Sequence, residues 1–111
     1  MKEAGKDSSG KHPYISSPES VLSVVAQLTK LDREYILTSE KYDAAQAREI
    51  ITLLLVDGLN ASLAETGNFL CRLTAPTIKK HRKHGAQRLI QDEEFAHTFA
   101  IAERRSHIAF D

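Results

Sequence analysis

Six cationic side chains and two of the five histidines fall between residues 66 and 91, a stretch with no Asp or Glu. They are Arg72, Lys79, Lys80, Arg82, Lys83 and Arg88, with His81 and His84 among them. The remaining nine Lys and Arg are outnumbered by fifteen acids, ten before residue 66 and five after residue 91. A chain of zero formal net charge therefore concentrates +6 in one quarter of its length. Cations gathered in this way attract phosphate. The densest part, Thr77-Ile-Lys-Lys-His-Arg-Lys-His84, has the composition of a helix start. On a helix Lys79, Lys80 and Lys83 project from one side, where long basic side chains reach guanine edges or phosphates in a major groove. Thr77, Arg82 and Arg88 are the candidates for holding the nucleic-acid backbone, together with the N–H groups of the helix start.

Other chemistries are less well supplied. His81, His84 and Cys71 would make three metal ligands, but a fourth is not evident and no paired cysteine motif exists, so no metal site is expected. Cys71 stands among Phe69, Leu70 and Leu73 and reads as a buried small hydrophobe rather than a nucleophile. Asp92-Glu-Glu94 offers three carboxylates with no partner acid or base nearby, the composition of a helix start. No phosphate-cradling glycine loop and no nucleophile elbow appears. We expect no enzyme and no cofactor. The aromatic platform of single-strand binders is also missing, which favours double-stranded DNA.

The elements that must position these residues are helices. Residues 1–15 are polar and are expected to form a disordered tail, leaving residues 16–111 as a single all-α domain. Ser17 and Pro18 suit the cap and first turn of a helix running to about Lys30 on Val21, Leu22, Val25 and Leu28. Residues 32–39 read equally as helical or extended. Asp43 is placed to cap a central helix whose apolar run, Ile50 to Val56, stops at Gly58. Ser62-Leu-Ala-Glu65 has capping-box spacing and opens a short helix towards Arg72, with Gly67 as a weak point. Thr74 and Pro76 start the basic helix, with Ile78, Ala86 and Leu89 expected inward and Gly85 allowing close packing. Asp92–Glu94 and Arg104-Arg105 mark the ends of a last helix that carries Phe95, Phe99 and Ala102 on one face. About five helices follow, and nothing is apolar for long enough to span a membrane. A polar start and one cysteine suggest a cytoplasmic protein.

A hydrophobic helix, a short helix, a turn and a basic helix make the order of a helix-turn-helix unit. At the basic helix the sequence resembles the LuxR/GerE-type DNA-binding domain of bacterial transcription regulators. That family's recognition helix typically reads Thr-Val-Lys-x-His, then basic residues and a Leu, which Thr77-Ile-Lys-Lys-His to Leu89 matches without a gap. Arg48-Glu49, Leu54-Leu55, Gly58-Leu59, Leu63-Ala64 and Leu73-Thr74 resemble its upstream landmarks. The similarity covers about residues 46–90. The chain has about four residues more than the family between Ala64 and Leu73, one fewer between Gly58 and Ala64, and Pro76 where a small or acidic residue is usual. The resemblance implies base-facing roles for Lys79, Lys80 and Lys83, and backbone contact or packing for Thr77, His81 and Arg82.

The expected function is that of a DNA-binding transcription regulator or accessory factor. Phe95, Phe99 and Phe110 are candidates for a homodimer or partner contact on the last helix. The alternative is a helical adaptor that binds another protein through that helix while the basic helix faces water.

Overall fold

A computed structural model describes residues 17–106. The expected tail at 1–15 lies outside this range, as does Phe110. Among the described residues the fold is all-α, with six α-helices, one π-helical turn and no strand.

Local chemistry sets most helix ends. Helix α1, Pro18–Thr29, is opened by a reciprocal Ser17–Ser20 capping box and closed by Lys30 in the left-handed region. The Leu31 N–H then returns to the Ala26 carbonyl, which satisfies an orphan acceptor of the last turn. Residues 33–38 resolve as helix α2, Arg33–Thr38, capped by Asp32 at the Glu34 N–H and with Ile36 fully buried. This is the sixth helix, where the sequence left two readings open.

Helix α3, Tyr42–Leu53, is the central element, buried at Ala44 and continuously from Ala47 to its end. It begins one residue ahead of the expected cap. Asp43 lies inside its first turn, where its carboxylate accepts from the Ala44 N–H and the Tyr35 hydroxyl. Arg48 is buried on this helix and donates to the carbonyls of Ile36 and Ser39 at 2.6 and 2.8 Å. The C-terminal end of α2 thus supplies acceptors for a charge taken out of water. From Leu54 to Gly58 the chain continues as a π-helical turn, with the Leu59 N–H reaching the Leu54 carbonyl at 3.1 Å.

Helix α4, Leu63–Phe69, has the expected Ser62–Glu65 capping box but stops before Arg72. Cys71 and Arg72 both take φ of 63°, so the chain turns sharply through two left-handed residues. Gly67 is a contact point rather than a weak point: a Cβ there would lie 2.0 Å from the Leu73 carbonyl oxygen. Helix α5, Ala75–Gln91, follows, and α6, Glu93–Arg105, closes the described fold with Asp92 as its cap. The core joining these elements is aliphatic, built on Val21, Leu22, Ile51, Leu54, Leu55, Leu70 and Ile78, with Phe95 at its edge.

Candidate nucleic-acid interface

Helix α5 is built as the sequence suggests. Thr74 caps it by accepting from the Thr77 N–H, Pro76 fits the first turn, and no acid occurs over its 17 residues. Its hydroxyl also pairs with that of Thr77 at 3.0 Å, so Thr77 belongs to the cap.

Three rungs fix α5 against the central helix and the π-helical turn that continues it. Arg88 donates from Nε to Glu49 at 2.7 Å. A Cβ on Gly85 would lie 2.9 Å from Leu53 Cδ1, so the backbone of α5 rests directly on that leucine. Arg82 forks onto Asp57, at 3.1 Å from Nε and 2.7 Å from Nη2 to Oδ1. The partners advance as 49, 53 and 57 on one strip and retreat as 88, 85 and 82 on the other. The two segments are therefore antiparallel, with steps of four residues on one set against steps of three on the other. Ile78 is fully buried beneath the N-terminal half.

This register divides the basic residues into two groups. Arg88 is occupied on three sides, by Glu49, by the Tyr42 hydroxyl at 3.0 Å and by the Tyr42 ring, 5.2 Å from its guanidinium carbon. Glu49 is 4% exposed, so the carboxylate of this pair is dry, while the Arg88 side chain is 27% exposed. Hydrogen bonding to Glu49 and Tyr42 strengthens Arg88's hold on its proton, as Asp57 does for Arg82. His81 is half-buried, and burial together with the charges of Arg48, His84 and Lys80 lowers its pKa to about 4. It is neutral at physiological pH and adds no charge.

Lys79, Lys80 and Lys83 are exposed, and none of them forms an ion pair among the described residues. They line an open depression of about 600 Å³ with Pro76, Arg82 and Asp57. Of the six residues named from sequence, three thus form a free cationic face, Thr77 supports the helix start, and Arg82 and Arg88 are held by carboxylates. Asp57, Glu49 and Tyr42 were missed. Glu49 carried a signal, since a carboxylate inside the buried run 47–55 requires a cation nearby.

Three sequence expectations are corrected here. Ala86 is exposed, because the inward row of α5 runs through Ile78, Gly85 and Leu89 and turns Ala86 away. Cys71 is exposed on its left-handed turn rather than buried. Phe95 is 4% exposed and belongs to the core, and Phe99 packs against that core, so Phe95 is not a surface for a partner. Among the described residues no three His, Cys, Asp or Glu side chains gather as a metal site. Comparison with protein-family models, curated proteins and solved structures finds no match to this chain.

Proposed function

We propose that this chain is a DNA-binding transcription regulator or accessory factor whose recognition helix is α5. The observation that carries the reading is the contrast between the cations of that helix. Arg82 and Arg88 are matched by carboxylates, while Lys79, Lys80 and Lys83 remain uncompensated on one exposed side. The order α3, α4, sharp turn and α5 suits a helix-turn-helix, with α3 as the support of the reading helix.

In this reading α5 enters the major groove with Lys79, Lys80 and Lys83 towards base edges and phosphates. The capped helix start, with Thr77, adds N–H groups near the backbone. No helix is long and apolar enough to cross a membrane among the described residues. The adaptor alternative needs an apolar face on α6. The large exposed hydrophobics among the described residues are instead Tyr42 and Ile90, on α3 and α5.

Fluorescence anisotropy with a labelled random duplex across a salt series tests the proposal. Three free lysines predict a slope of log affinity against log salt of about −3, since each neutralised phosphate contributes about −0.9. Lys79→Glu with Lys83→Glu should abolish binding while leaving the fold intact by circular dichroism. Wild-type protein that stays unbound at low salt while folded sinks the reading.

A further inference from the structure

We infer that Asp57 is an internal stand-in for a nucleic-acid phosphate, holding Arg82 in the free protein and yielding it when a phosphodiester reaches the same fork. The inference rests on the DNA-binding reading of α5 and concerns how that face is controlled.

Geometry comes first. Both carboxylate oxygens of Asp57 meet the Nε edge of Arg82, at 3.1 and 3.3 Å, and Nη2 adds a third bond at 2.7 Å. Nε and Nη2 thus converge on Oδ1, with Oδ2 reached from Nε alone, and the same guanidinium edge can take two oxygens of a phosphate through paired N–H bonds. A phosphodiester can therefore replace the carboxylate on the edge of Arg82 that Asp57 holds.

Position comes next. Asp57 is the one acid among the residues lining the depression, which it shares with Lys79, Lys80 and Lys83. A phosphate drawn in by the lysines arrives beside the Arg82–Asp57 pair. The carboxylate then faces a second anion, and this repulsion favours exchange.

Exposure decides which arginine can exchange. Side chains of Arg82 and Asp57 are 51% and 36% exposed, so a displaced Asp57 is rehydrated at once. Glu49 is 4% exposed, and removal of Arg88 would strand its charge in the interior. One helix thus carries an arginine that is fixed and another that is exchangeable. In the wild-type chain the second is withheld until polyanion supplies a better ligand.

The test uses the full chain and a labelled random duplex, with two readouts. Asp57→Asn removes the competing charge and keeps the side-chain shape, and should tighten binding about fivefold. Glu34→Gln, an equal charge change on α2, should change affinity less than twofold. The Arg82 Nε–H resonance, assigned by its loss in Arg82→Lys, should move when duplex is added to wild-type protein. Inorganic phosphate should move the same resonance in Asp57→Asn at concentrations that leave the wild type unchanged. Unchanged or weaker binding by Asp57→Asn overturns the inference. So does an Arg82 resonance that stays fixed at saturation while the lysine-dependent binding persists, and that outcome leaves the DNA reading standing. Absence of binding by wild type and Asp57→Asn alike, with both folded, overturns the inference and the DNA reading together.

Discussion

The two arginines of α5 show how far one side chain's role depends on a partner distant in sequence. Arg88 and Glu49 are 39 residues apart, and Arg82 and Asp57 are 25 apart. From sequence both arginines look like backbone contacts, because the charge count cannot say which cations are already neutralised. The exposure of the lysines was legible because their helix carries no acid to pair with them. Arg88→Ala should cost about 3 kcal/mol, since it leaves Glu49 uncompensated in the interior. Arg82→Ala should cost at most about 1 kcal/mol, the scale of an exposed pair. Urea unfolding of both variants reads the difference. His81 gives a pH signature. Its folded pKa of about 4 lies below the usual 6.5, so the unfolded chain takes up a proton in that interval and the folded chain does not. The stability it contributes is fully present above pH 6.5 and is lost as pH falls towards 4, by about 1–3 kcal/mol. Unfolding at pH 7 and pH 5 should show a drop in the wild type that is smaller in His81→Gln.

At the scale of elements, boundaries set by local chemistry were the legible part. Ser17, Ser62 and Thr74 all cap the helices expected of them, and Asp92, read as a first-turn acid, stands one position earlier as the cap of its helix. Residues whose meaning depends on a neighbouring backbone were misread. Gly67 looked like a helix weakener, yet the Leu73 carbonyl occupies the space a side chain would need. Gly85 was expected to allow close packing, and it does, with Leu53 resting against its backbone. The two glycines predict different outcomes. Gly67→Ala meets backbone and should destabilise by about 3 kcal/mol, the upper range for overpacking. Gly85→Ala meets the movable end of a leucine and gains helix propensity, so its cost should stay near about 1 kcal/mol. Thermal unfolding of the pair distinguishes backbone obstruction from side-chain crowding. Nothing in composition foretold the π-helical turn, since an i to i+5 bond has no residue signature of its own.

For the whole molecule, a formal charge of zero conceals a strong segregation. All fifteen acids lie outside α5, and the two that pair with it among the described residues, Glu49 and Asp57, are spent on arginines. Binding to polyanion should therefore be oriented and salt-sensitive, without the general stickiness of a highly basic protein. The all-α class and the lysine side of α5 followed from helical periodicity and caps, whereas the pairing of Arg82 and Arg88 followed only from the register of α5 on α3 and the π-helical turn. That register has a consequence for how the chain tolerates change in length. One strip advances four residues per rung while the other retreats three, so the pair works as a vernier. One residue added or removed within α3 or α5 would desynchronise every rung beyond it. Insertions belong instead in the joints at 30–32, 39–41 and 59–62. The paired spacings 49–53–57 and 82–85–88 form a measure by which a distant descendant could be aligned after most residue types have changed.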